Sequence, residues 1–165
     1  MSNLLTHPVK LFAMAAGTCV LAMGAALHTQ HVMGMEPCPW CVLQRLIFVG
    51  IFAFAVLGMA WRRRLGVMVA ALGMDLLAAL GVAAALWQHF VASSSNSCNL
   101  TFADRFMSAT GLDGLLPDVF AARASCAEAA TTLVGVPYEF WSLATFAMVG
   151  TLAVLALLSQ MRSAR

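Results

Sequence analysis

Four stretches of the chain run almost without polar interruption, and short polar or charged clusters separate them. The apolar stretches cover roughly 11–29, 42–61, 65–90 and 140–158. About 20 apolar residues in helical form cross the hydrocarbon core of a bilayer, so each stretch is long enough to span it. Backbone N–H and C=O groups find no water there, which makes helices the expected form. The pattern therefore predicts an all-α membrane protein, a bundle of four transmembrane helices. Two loops, about 30–41 and 91–139, emerge on one side, and the second is expected to carry a short amphipathic helix. The first stretch has some look of a cleavable signal peptide, but its length and the spans that follow argue against that. Residues 1–165 read as one domain, without repeats, and Ser93-Ser94-Ser95-Asn96-Ser97 is the clearest polar loop signal.

Composition sharpens this reading. Of 165 residues, 62% are hydrophobic and 10% charged, whereas a soluble domain carries about 25% charged residues. Charge placement then orients the bundle. Arg62, Arg63 and Arg64 fill the tightest loop, Lys10 precedes the first span, and Arg162 and Arg165 follow the last. Short loops rich in Lys and Arg stay cytoplasmic. Both termini are therefore expected in the cytoplasm, with the loops about 30–41 and 91–139 in the periplasm or its equivalent. No nucleic-acid partner is expected.

The cysteines fall on the outer side. Cys38 and Cys41 lie in the first outer loop, Cys98 and Cys126 in the second, and Cys19 lies within a span. Stable disulfides belong to oxidising compartments, so four outer cysteines read as two pairs. They allow three connectivities. Cys38–Cys41 with Cys98–Cys126 is the expected one, since a C-x-x-C pair at a helix start is already in register to close.

Glu36-Pro37-Cys38-Pro39-Trp40-Cys41 reads as a helix entrance. Pro39 suits the first helical position, where its missing N–H is no loss. Cys38 then falls near the N-cap and Cys41 in the first turn, where unpaired N–H groups and the positive dipole end favour an anion. Such placement raises the thiolate fraction. Arg45 follows one turn after Cys41 on the same face. An arginine inside a span is expensive, about 2.5–3.5 kcal/mol at mid-bilayer on insertion scales. It is expected to sit beside the Cys41 thiolate and to hydrogen-bond an acceptor oxygen such as a quinone carbonyl. The alternative is an arginine that snorkels to lipid phosphates.

Other chemistries compete. Cys38, Cys41, His28 and His31 offer four ligands for zinc, and His28, His31, His89 and methionines offer ligands for haem in a bundle. A scaffold whose disulfides only hold its loops is the third. A C-x-x-C closes too short a loop to stabilise much through chain entropy, which argues against a purely structural pair.

The run Cys38-Pro39-Trp40-Cys41-Val42-Leu43-Gln44-Arg45, preceded by Gln30-His31-Val32-Met33, resembles the signature of the disulfide bond formation protein B (DsbB) family. The four-span layout, Trp87-Gln88-His89, Cys98 with Cys126-Ala127-Glu128, and Gly135-x-Pro137 before the last span agree with it. The resemblance extends over nearly the whole chain. It implies a bacterial inner-membrane protein-dithiol:quinone oxidoreductase. A reduced periplasmic DsbA-like thioredoxin-fold protein attacks Cys98, the released Cys126 attacks Cys38, and Cys41 is left as the thiolate facing a membrane quinone, ubiquinone or menaquinone. Arg45 and His89 are then candidates to hydrogen-bond the quinone, and Gln44 and Trp87 to line its pocket.

Leu112, Leu115, Leu116, Val119 and Phe120 recur at helical spacing, with Asp113 and Asp118 opposite. That is the pattern of a short helix on the membrane surface or packed against the bundle. His28 and His31 are expected to cap the first span. Cys19 reads as a small buried apolar residue, and Gly17, Gly24, Gly73 and Gly81 as close-packing positions. Asp75, deep in the third span, has no role in this scheme.

Overall fold

The computed structural model describes residues 7–93 and 101–162. Cys98, Arg165 and the stretch Ser94 to Ser97 lie outside the described residues. Helix α1 spans Pro8–Met33, α2 Pro39–Ala60 and α3 Arg64–Trp87, which runs on into a π-helical turn, Gln88–Ala92. Three short helices follow in the second loop: α4, Phe102–Thr110; α5, Leu112–Leu115; and α6, Pro117–Phe120. A two-stranded hairpin, β1 (Thr132–Leu133) and β2 (Val136–Pro137), leads into α7, Tyr138–Arg162. Among the described residues, four helices are long and apolar enough to cross a membrane. Each expected span coincides with one of them, the second ending at Ala60, one residue short of the expected bound.

The four long helices form a closed ring, α1 against α2, α2 against α3, α3 against α7, and α7 back against α1. Leu21, Leu72, Leu76 and Leu80 point outward, while Leu11, Phe12, Ile51, Met74 and Phe146 are fully buried. Lipid tails are as apolar as leucine, so association rests on close fit more than on water exclusion. Small residues supply that fit. Phe48 of α2 and Phe146 of α7 stack across the bundle with ring centroids 4.1 Å apart. Gly81 of α3 receives the edge of Phe146: a Cβ there would lie 2.5 Å from the ring. Gly81→Ala is expected to destabilise the bundle by about 1–3 kcal/mol, the usual range for overpacking. Thermal unfolding in detergent measures it, and an unchanged midpoint would show that the Phe146 ring can move aside.

The second loop departs from expectation. The predicted helix over Leu112–Phe120 is broken into α5 and α6, because Leu116 leaves helical geometry (φ −133°, ψ 65°) just before Pro117. Pro disfavours helical backbone at the residue before it. Gly111, at φ 69°, separates this pair from α4. The amphipathic helix is α4 itself, held by a capping box: the Thr101 hydroxyl accepts from the Asp104 N–H, and the Asp104 carboxylate accepts from the Thr101 N–H. Its Ala103 and Met107 pack with Val42, Leu43 and Phe120, so the loop lies against the start of α2.

Asp75 lies where Gly150 of α7 approaches α3: its carboxylate would stand 3.9 Å from a Cβ at Gly150. Cys19 is buried in the apolar core, as expected.

Candidate active site

The start of α2 has the predicted geometry. Cys38 is the N-cap, with extended backbone (φ −84°, ψ 167°), and Pro39 begins the helix. The Cys38 sulfur accepts a hydrogen bond from the Cys41 N–H at 3.3 Å, and the two sulfurs stand 2.6 Å apart. Cys38 is wholly buried, whereas Cys41 faces a cavity.

The second loop delivers Cys126 to the same place. The Pro37 carbonyl accepts from the N–H groups of Arg123 (2.9 Å) and Ala124 (3.3 Å), which pins the two outer loops together beside the cysteines. A second capping box then turns the chain: the Glu128 carboxylate accepts from the Ser125 N–H, and the Ser125 hydroxyl accepts from the Glu128 N–H. The Ser125 hydroxyl also donates to this carboxylate, and that bond, with the Ser125 N–H, holds the Glu128 carboxyl below its usual range. Cys126 starts this turn and packs with Cys38, Ala92, Trp40, Cys41 and Ala129.

Protons distribute unevenly among these sulfurs. The Cys38 thiol shares its single proton with the neighbouring Cys126 and Cys41 sulfurs and is buried, which together hold it well above the ordinary thiol range. Cys126 is lowered, chiefly because it accepts from Cys38 and also from the Trp40 N–H, against the opposing effect of burial. A lowered group keeps its charged form to lower pH, and a raised one keeps its proton to higher pH. In the fully reduced protein, iodoacetamide should therefore reach half-maximal rate on Cys126 at lower pH than on Cys38. Mass fragmentation after timed labelling reads both, and the reverse order would contradict the arrangement.

The cavity, about 220 Å³, lies between α1, the start of α2, the end of α3 and the start of α7. Ala22, Ala25, Ala26 and Phe48 give it an apolar wall, and Cys41, Gln44, Arg45, Gln88 and Glu139 bring polar groups to it. Arg45 is buried and donates to Gln30 Oε1 (2.6 Å), to the Val119 carbonyl (2.8 Å) and to the Ala26 carbonyl (3.4 Å). Gln30 in turn donates to the Asp118 carbonyl (3.1 Å), so Arg45 and Gln30 together fasten α6 to α1. Arg45 is engaged with protein acceptors rather than lipid phosphates.

A family model described as disulfide bond formation protein DsbB matches residues 8–156. The chain belongs to the DsbB family. It is 31% identical over 155 residues to the disulfide bond formation protein B of Polaromonas naphthalenivorans, covering 92% of each chain. It is 34% identical to disulfide bond formation protein B 1 of Pseudomonas savastanoi pv. phaseolicola, over 81% of this chain and 80% of that one. With disulfide bond formation protein B 1 of Pseudomonas aeruginosa PAO1 the identity is 32%, over 86% and 90%. This DsbB-family chain is a multi-pass membrane protein of disulfide bond formation, and the family implies disulfide-forming oxidoreductase activity.

Within this DsbB-family bundle the expected site residues do not all meet. Cys38, Cys41 and Cys126 come together, and Gln44 and Arg45 share the cavity with Cys41. His89 is not among the cavity's lining residues. Its Nδ1 is 2.6 Å from Glu139, and its ring packs on Phe90 and Phe140. Glu139, buried apart from its edge on the cavity, stands between. Trp87 is half-exposed outside the cavity and packs against Trp40. His28 and His31 lie near the end of α1, which is closed by Gly34 at φ 67°. Among the described residues, no group of three or more His, Cys, Asp or Glu side chains has an arrangement that could hold a metal ion.

Sequence reasoning passed over two features of this DsbB-family site. Ser125-x-x-Glu128 is a capping-box pattern legible in the chain, and it marks the turn that presents Cys126. In the sequence Gln88 stands out only as part of Trp87-Gln88-His89. Its contact with Cys41 joins residues 47 positions apart, which no local pattern announces.

Proposed function

We propose that this DsbB-family protein oxidises a periplasmic DsbA-like dithiol protein and passes the electrons to a membrane quinone. The observation that carries the reading is the order of the sulfurs. Cys126 touches Cys38, Cys38 touches Cys41, and of these three only Cys41 lines the cavity.

The steps balance as thiol–disulfide exchanges. A partner thiolate attacks Cys98 of the Cys98–Cys126 disulfide, and Cys126 leaves with the electron pair. Cys126 then attacks Cys38 of the Cys38–Cys41 disulfide, forming Cys126–Cys38 and releasing Cys41 as a thiolate. The partner's second thiol closes the partner's disulfide and frees Cys98. Cys98 restores its bond to Cys126, and Cys38 is freed. The net change is one partner dithiol oxidised and Cys38/Cys41 reduced.

A flat ring bearing two carbonyl oxygens fits the cavity's donor set. Its wall is apolar, while the Arg45 guanidinium and the Gln44 and Gln88 amides offer N–H groups. A bound quinone, ubiquinone or menaquinone, supplies a sink for two electrons and two protons. Arg45 is placed to favour charge arriving on a carbonyl oxygen, and Cys41 is the sulfur that delivers it. His89 acts from behind Glu139, which lines the cavity. We place both termini and the Arg62-Arg63-Arg64 loop in the cytoplasm of a bacterial inner membrane, with all four paired cysteines opposite.

The direct assay mixes reduced DsbA-like partner, a catalytic amount of this protein and a soluble quinone. Quinone reduction should track loss of partner thiols mole for mole. Thiol loss without quinol formation would overturn the reading.

A further inference from the structure

In the proposed function Gln88 is only one N–H donor lining the cavity, although its side chain touches the sulfur at the electron path's end. Gln88 Nε2 donates to Cys41 Sγ at 3.3 Å, and Gln44 Nε2 donates to Gln88 Oε1 at 2.7 Å. Both glutamines are nearly fully buried, 5% and 3% exposed. They come from different helices, Gln44 from the first turns of α2 and Gln88 from the π-helical turn that ends α3. Such turns are rare and recur at functional sites.

The chemistry lies in which end of the Gln88 amide meets the sulfur. A primary amide offers an acceptor oxygen at one end and two N–H donors at the other. Gln44 occupies the oxygen with a donor, so the NH₂ end is left for Cys41. A donor facing sulfur favours the thiolate, and hydrogen bonds to an ionised group are the stronger kind. An oxygen turned toward the same sulfur would oppose it. Little water reaches this pair to compensate, so the direction of the amide decides which form of Cys41 is favoured.

We propose that Gln88 is a catalytic residue that holds the Cys41 sulfur as an anion, and that Gln44 is the positioning residue that fixes the direction of the Gln88 amide. The proposal rests on the reading of Cys41 as the sulfur that meets the final acceptor. It goes beyond that reading by assigning Gln44 to Gln88 rather than to the quinone.

The test needs no quinone. The full chain, reduced and in detergent, is labelled with iodoacetamide across a pH series, and Cys41 and Cys126 are quantified by mass fragmentation. Gln88→Leu removes the donor, and Cys41 labelling at pH 7 should slow about tenfold, its pH profile moving about one unit toward alkali. Gln44→Glu keeps the size but supplies a carboxylate that only accepts. It should draw the Gln88 NH₂ to itself, turn the Gln88 oxygen to the sulfur, and displace the profile the same way. Gln44→Met, which removes the donor without adding an acceptor, should give a smaller displacement. The Cys126 profile should stay where it is in all three.

A Gln88→Leu profile superimposable on the parent's overturns the catalytic assignment, and an unmoved Gln44→Glu profile overturns the positioning one. Equal displacement of Cys41 and Cys126 means general loosening and overturns both. Should Gln88→Leu fail to fold, Gln44→Glu decides. If the profiles move as expected while no variant or parent reduces quinone, the functional reading falls and this one stands.

Discussion

Cys41→Ser should bring quinone reduction down to the level seen without protein. Serine is close to cysteine in size, its hydroxyl can still accept from Gln88, and the Cys38 cap of α2 is untouched, so the bundle should remain intact. What disappears is the sulfur that, among the described residues, both contacts Cys38 and opens to the cavity. A hydroxyl neither forms a disulfide with Cys38 nor ionises near neutral pH, so the final transfer has no donor. Cys98→Ser should stop turnover with the DsbA-like partner just as fully, but by a different route. It removes the sulfur that receives the partner's attack and leaves Cys38 and Cys41 untouched. A small dithiol able to enter the outer face should then still drive quinone reduction in Cys98→Ser and not in Cys41→Ser. The two variants compared with partner and with small dithiol separate the entry of electrons from their exit. Normal turnover by Cys41→Ser would remove the basis of the whole scheme.

Arg45→Ala should have the second largest effect, and a mixed one. A hydrogen bond from a charged donor contributes about 1.5–3 kcal/mol, so losing one to a quinone oxygen raises KM about 10- to 100-fold. The same guanidinium also donates to Gln30 Oε1 and to the carbonyls of Val119 and Ala26. Removing it leaves buried acceptors without their donor, at about 1–3 kcal/mol each. Arg45→Ala should therefore lower the unfolding midpoint as well as weaken quinone use, and it should loosen α6 from the bundle. Arg45→Lys separates the two parts. A lysine keeps the charge near Cys41 but lacks the planar fork that serves several acceptors together. It should recover part of the KM effect and little of the stability. Steady-state kinetics with thermal unfolding on the same samples measures both. A KM unchanged in Arg45→Ala would assign the residue to the fold alone.

How much of this was legible in the chain depends on the distance over which each feature is decided. The spans are decided by long apolar runs, and helices α1, α2, α3 and α7 appear where those runs lie. The Cys38 cap is decided within four residues, by Pro39 and by the spacing to Cys41, and it stands as expected. The second loop differs from expectation between Leu112 and Phe120, where helical spacing predicts one helix and Pro117 breaks the run at Leu116. The Thr101 and Ser125 boxes were equally local and went unused.

The site's polar wiring is another matter. Arg45 reaches Val119 across 74 positions, and His89 reaches Glu139 across 50. Such pairs exist only once the ring of helices has closed, so a residue's chemistry was foreseeable and its partner was not. His89 illustrates the consequence. Its place just after α3 pointed to the acceptor, yet the cavity is lined by Glu139, a residue whose position at the start of α7 gave no hint of His89 as a partner.

The central claim is that Cys38 and Cys41 exchange electrons directly with a quinone. A variant carrying Cys98→Ser and Cys126→Ser isolates that step. Reduced, freed of reductant and mixed with a slight excess of soluble quinone, it should form the Cys38–Cys41 disulfide and one equivalent of quinol together, read by mass mapping and by absorbance. If both thiols stay free while the quinone is unchanged, the account is contradicted at its centre.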